Sequence, residues 1–142
     1  ELLVADAGHR GFVTHLDVRD LSVIRFYTVN DTRVKFLADL GLASPRSVGE
    51  ASVNGRYAGE ISAERIDEFD DVDIVIAYGG AALLNGIRQN PLISHMATVE
   101  TDAVVLLAND PVGTAANPTP LSIPWILKDY AGRLAEAARK AE

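Results

Sequence analysis

VDIVIAYGG, residues 72–80, is the stretch on which the fold turns. From Val72 to Ala77 it is an almost unbroken run of β-branched and apolar residues, and Gly79-Gly80 closes it with a turn. Such a run predicts a central strand buried on both faces, the kind found in parallel sheets covered by helices. On its carboxyl side, AALLNGIRQ (81–89) reads as a helix stopped near Asn90-Pro91, because the residue before a proline is pushed out of the helical region. AVVLLA (103–108) then supplies another buried strand. On its amino side, SAERIDEF (62–69) reads as a short helix in which Ser62 caps and Glu64 favours the positive end.

Further upstream, GFVTHLD (11–17) and SVIRFYT (22–28) are strand candidates rich in β-branched and aromatic residues. DTRVKFLADLG follows, with Asp31 placed as an N-cap, Val34, Leu37 and Ala38 on one face, and Gly41 where a left-handed C-cap is wanted. Residues 44–59 read as a connection, and 109–121 as a Pro-rich loop. From Ile123 onward, Ile126, Leu127, Tyr130, Leu134 and Ala138 recur at helical spacing opposite Lys128, Asp129, Arg133, Glu136 and Arg139, which predicts a long closing helix. Strands alternating with helices give the fold class: α/β, a three-layer α/β/α arrangement with a mostly parallel, Rossmann-like central sheet.

A length of 142 residues suits one such domain. The net charge of -7 and the scatter of the basic residues, clustered only at Arg139-Lys140, argue against a nucleic-acid partner. The chain has no Cys, which removes disulfides, thiol catalysis and Cys-ligated zinc together. No apolar run is long enough to span a bilayer. The first residue is Glu, with no targeting segment before the first strand, so the sequence reads as a processed or excised piece.

In open α/β sheets ligands gather beyond the carboxyl ends of the strands. That rule selects Tyr27-Thr28-Val29-Asn30-Asp31, Tyr78-Gly79-Gly80 and Asn109-Asp110-Pro111-Val112-Gly113-Thr114. Two of these begin on a Tyr, and Arg33 follows the first at the start of a helix, groups that suit a polar, anionic, partly aromatic ligand. The same residues also have plain structural explanations: strand-end aromatics, a helix cap, a turn, and a solvated Arg on a helix face. No G-x-G-x-x-G or P-loop is present. His9, His15 and His95 lie far apart, without ligand spacing, and the acidic run 68–73 reads as a solvated turn at the wrong end of the sheet. Ser62 and Ser122 lie outside any G-x-S-x-G turn and precede helices as caps do.

Three segments, SVIRFYTVNDTRVKFLADLGL, ISAERIDEFDDVDIVIAYGG and NPLISHMATVETDAVVLLANDPVGTAANPTPLSIPWIL, resemble consecutive parts of ferric-siderophore substrate-binding proteins of ABC importers, the class III or cluster A family. The resemblance implies a chain that is one carboxyl-terminal lobe over residues 1–142, with an amino-terminal lobe and a long linking helix missing and residues 1–10 near the junction. It implies a capture protein rather than an enzyme, with no cofactor, a ferric siderophore as ligand and an ABC permease as partner. It places Tyr27, Thr28, Asn30, Arg33, Tyr78, Asn109 and Asn117 on the cleft, and Glu64 at the permease contact. The implied location is the periplasm or the outer face of the cytoplasmic membrane, with the style of NDPVGTAANPTPLSIPW favouring a lipoprotein. An isolated lobe is expected to expose a face on which a second copy can pair. The alternatives are a related haem or cobalamin binder, and a nucleotide-binding flavodoxin-like or Rossmann-like enzyme domain.

Overall fold

The computed structural model describes residues 13–108 and 110–142. Residues 1–12, among them His9 and the first two residues of the strand expected over 11–17, and Asn109 lie outside the described residues.

Five strands form one sheet: β1 (Val13–Asp20), β2 (Val23–Tyr27), β3 (Ala58–Ser62), β4 (Ile74–Tyr78) and β5 (Val104–Leu107). Their order is β3-β2-β1-β4-β5. Pairing is parallel at β1–β4 and β4–β5, and antiparallel at β1–β2 and β2–β3. The helices are α1 (Thr32–Asp39), α2 (Arg46–Ala51), α3 (Ala81–Gln89), α4 (Ala97–Glu100), α5 (Pro111–Ala115) and α6 (Ser122–Lys140).

The unbroken apolar run 74–77 is explained by what lies on either side of it. Ile74 and Ile76 point to a core with Phe36 and Leu37 of α1, Leu40 just past its end, and Ile126, Tyr130 and Leu134 of α6. Val75 and Ala77 point the other way, to Ile24, Phe26, Phe69, Ile87, Ile93 and Val99. A strand alternates its side chains between faces, so only a strand with two covered faces needs apolar residues at every position. The three-layer α/β reading stands.

Asp31 caps α1, accepting a hydrogen bond from the Arg33 backbone N at 2.9 Å, and Gly41 takes φ 91° just past the helix end. Ser62 accepts from Glu64 N as read from sequence. Ser122 does not cap in that way. It is the first residue of α6, and its Oγ accepts from the Thr119 backbone N at 2.9 Å, tightening the preceding loop.

The connection expected over 44–59 is more structured than its Pro, Ser and Gly suggested, holding α2 and the start of β3. AGEIS escapes a pattern reading because an edge strand presents polar side chains at alternate positions and buries little. Its pairing is what makes it a strand, with Glu60 directly opposite Arg25 and the two side chains 3.5 Å apart. The acidic run 68–73 is only partly a solvated turn: Phe69 and Val72 are buried, and Asp71 Oδ2 accepts from Arg46 N at 2.8 Å at the start of α2.

At the far end of β5, Asp102 adopts φ 59° and is held by two cations, Arg88 of α3 at 2.6 Å and Lys140 of α6 at 2.9 Å. The Lys140 hydrogen bond is the main influence holding the Asp102 carboxyl below its ordinary range, with Arg88 adding to it. A depressed folded value contributes stability above the ordinary carboxylate range and loses it as pH falls through the folded value. Asp102→Asn keeps a residue tolerant of left-handed backbone and removes only the charge. It is expected to cost less than about 1 kcal/mol at neutral pH, because the pair is exposed, and the difference from the parent should close on acidification. Urea unfolding at pH 7 and pH 3 measures both; an undiminished difference at pH 3 would show that the charge is not the cause.

Candidate functional site

The site begins with the cap of α1. The Asp31 carboxylate, 11% exposed, receives the Arg33 backbone N–H and then the Arg33 guanidinium as a fork, with Nε to Oδ1 and Nη2 to Oδ2 both at 2.8 Å. Residues two apart at a helix start do this readily, because the cap is extended while the next turn folds back over it. The guanidinium also lies over the Tyr27 ring, 3.5 Å from its centroid, a cation–π contact. The Asp31 hydrogen bond is the leading cause that keeps Arg33 firmly charged, against an opposing effect of burial. Arg33 is thus not a solvated helix-face residue.

Tyr78 joins the same group at the end of β4. Leu16 lies opposite both Phe26 and Ala77, so Tyr27 and Tyr78 each sit one residue from that row, on the face opposite Phe26 and Ala77. Because β2 is antiparallel to β1, the strand-exit rule does not by itself bring Tyr27 here; Arg33 does, reaching between the rings. Burial pushes the Tyr78 phenol up, and Arg33 partly offsets this through a hydrogen bond and its charge. Beneath lies Tyr130 of α6, 1% exposed and stacked on Phe36 at 6.3 Å. Burial, with Tyr78 adding, raises its phenol far above the ordinary range.

Two of the expected ligand residues are anchors of this loop. Thr28 is fully buried, its hydroxyl donating to the Arg56 carbonyl and accepting from Asn30 N at 3.3 Å. Asn30 Nδ2 donates to the carbonyls of Ser52 at 2.9 Å and Arg56 at 2.8 Å. Both side chains tie the β2–α1 loop to the segment before β3. Their exposed neighbour on that segment is Tyr57, whose carbonyl accepts from Thr28 N at 3.0 Å.

Beyond β4 and β5 the surface forms two adjoining hollows. One, of about 340 Å³, is lined by Tyr78, Gly79, Leu107, Ala108, Gly113 and Thr114. The other, of about 590 Å³, is lined by Asp110, Pro111, Thr114, Asn117, Thr119 and Ser122 among others. Asn117 is exposed there and accepts from the Thr32 hydroxyl at 3.4 Å, which links the start of α1 to the α5–α6 loop. Tyr27, Arg33, Tyr78 and Asn117 are therefore joined through α1, while Glu64 sits apart, exposed at the start of the 63–69 turn.

Sequence reasoning passed over Tyr57, Leu121 and Trp125, which are 67%, 90% and 62% exposed. The signal for Trp125 was its phase. It falls one residue before Ile126 and so outside the stripe Ile126-Tyr130-Leu134, which turns it away from the core. Among the described residues no cluster of three or more His, Asp or Glu could hold a metal ion, and no helix is long and apolar enough to cross a membrane. His95 is exposed, 3.7 Å from Glu100.

No family model and no curated protein sequence matches the chain. Solved structures do. Streptococcus pneumoniae TIGR4 PiaA in complex with ferrichrome is 32% identical with a TM-score of 0.87, covering 93% of this chain and 45% of that one. The iron uptake ABC transporter substrate-binding protein PiaA from the same organism gives 31% and 0.82, over 92% and 44%. Staphylococcus aureus FhuD2 with bound ferrioxamine B gives 18% and 0.72, over 96% and 52%, a likeness of fold. The chain spans about half the length of each of these proteins. In structure it is similar, over nearly all of its own length, to siderophore-binding proteins of ABC transport.

Proposed function

We propose that this chain is the carboxyl-terminal lobe of an extracytoplasmic substrate-binding protein that captures a ferric siderophore and hands it to an ABC permease. The observation that carries the reading is the likeness to PiaA at 32% identity across 93% of the chain, PiaA being the protein in complex with ferrichrome. The geometry agrees with it. A held guanidinium, two phenols and an open hollow beyond β4 and β5 suit the oxygen-rich outer surface of a chelate, without ligating its iron. The other half of the cleft belongs to an amino-terminal lobe, and the complete protein works in the periplasm or, as a lipoprotein, at the outer face of the cytoplasmic membrane. Glu64, exposed at a helical start, is the contact to an Arg of the permease, setting orientation and encounter rate. In the isolated lobe the apolar Leu121–Trp125 surface is where a second copy would pair.

Trp125, the only Trp of the chain, sits in the first turn of α6, whose Ser122 lines the larger hollow, and is a native reporter. In the complete protein, one ferric siderophore class is expected to quench fluorescence with a submicromolar midpoint. Tyr78→Ala and Arg33→Ala should each weaken binding about tenfold or more, the range of a buried aromatic or Arg anchor. Haem, cobalamin and nucleotides serve as controls. Quenching by haem or cobalamin alone moves the reading to those cargoes, and no response to any ferric siderophore overturns it.

A further inference from the structure

Resting on that reading, we infer that Asp31 sets the charge selectivity of the site, making it accept ferric chelates without net charge in preference to strongly anionic ones. Arg33 is the cation nearest both tyrosines, yet both edges of its fork used here, Nε and Nη2, are already spent on Asp31 at 2.8 Å. The carboxylate is 11% exposed and the guanidinium side chain 22%, so the pair is screened by little solvent. At the tyrosine cluster the charges of Arg33 and Asp31 cancel, and burial raises the Tyr78 phenol further from ionisation.

Among the described residues, the charges named next do not restore a positive field. Asp110 lines the neighbouring hollow. Arg25, on β2, is paired with Glu60 at 3.5 Å. Arg56 is exposed, and it is its carbonyl that holds Thr28 and Asn30. The whole chain carries -7. A ferric complex of three hydroxamates, each donor group bringing one negative charge, is neutral at the metal. A complex of three catecholates, each bringing two, is strongly anionic and would meet a cancelled cation and a repelling field.

Asp31→Asn keeps a good N-cap for α1 while removing the carboxylate charge, and Asp31→Ser does the same with a shorter side chain. The test measures affinities of the complete protein for a ferric tris-hydroxamate and a ferric tris-catecholate by fluorescence quenching at two ionic strengths. The parent is expected to prefer the tris-hydroxamate. Both substitutions should raise the catecholate-to-hydroxamate affinity ratio about tenfold at low salt, and less at high salt. A parent that prefers the tris-catecholate, or a ratio unmoved in both variants while binding persists, overturns the role of Asp31 and leaves the siderophore reading standing. A parent that binds neither chelate overturns the role of Asp31, and the siderophore reading falls with it only if no other ferric siderophore quenches either.

Discussion

Gly113→Ala is expected to lower stability by about 2–4 kcal/mol, a melting-temperature drop of roughly 10 °C. An added Cβ at Gly113 would lie 2.0 Å from the Ala108 carbonyl oxygen and 3.3 Å from Asp110 Oδ1. The obstacle is backbone, so no rotamer change relieves it. Either α5 lifts from the exit of β5 or the Ala108 peptide moves, and Ala108, Gly113 and Thr114 all line the smaller hollow. Helix propensity alone points the other way, since Ala is favoured over Gly in a helix by about 1 kcal/mol. Gly49 in α2 supplies the contrast: nothing lies within 4 Å of its added Cβ, and Gly49→Ala should stabilise by about 0.5–1 kcal/mol. Thermal unfolding of both variants decides the matter. A Gly113→Ala protein as stable as the parent would mean that α5 does not press on Ala108.

Ile76→Ala should cost about 3–5 kcal/mol, the upper part of the range for large-to-small changes in a core. Ile76 is 0% exposed in the middle of β4, within the cluster formed by Phe36 and Leu37 of α1 and Ile126 and Leu134 of α6. Two helices and a strand meet there, and none can close on the void without breaking its other contacts, so the cavity cost adds to the lost transfer free energy. Urea unfolding should show a lower midpoint at an unchanged slope. Val53→Ala, at a side chain 61% exposed, should stay within about 0.5 kcal/mol. A small effect at Ile76 would mean that the α1–β4–α6 core is not packed as described.

Much of the fold was legible because its signals are local. The doubly buried strand at 74–78, the Asp31 cap, the Gly41 stop and the stripe of α6 each depend on residues a few positions apart along the chain. β3 was not legible, since a short edge strand is defined by its partner across Arg25 and Glu60 and not by its own pattern. Of the site, Tyr78, Arg33 and Asn117 were picked out from sequence and meet around α1, whereas Thr28 and Asn30, read as ligand contacts, are spent on holding a loop.

What the amino-acid sequence determined by itself is the α/β architecture, the helix caps and the end of β4 and β5 at which a ligand can gather, because hydrophobic period and capping chemistry act within a turn or two of chain. Only the tertiary structure decided that Arg33 lies on Tyr27 with its charge answered by Asp31, that Tyr78 stands beside them over a buried Tyr130, and that Trp125 faces outward. Those outcomes depend on distances and burial among segments brought together from across the chain, which set how strongly each charge is felt and which hydrogen-bonding groups remain for a ligand.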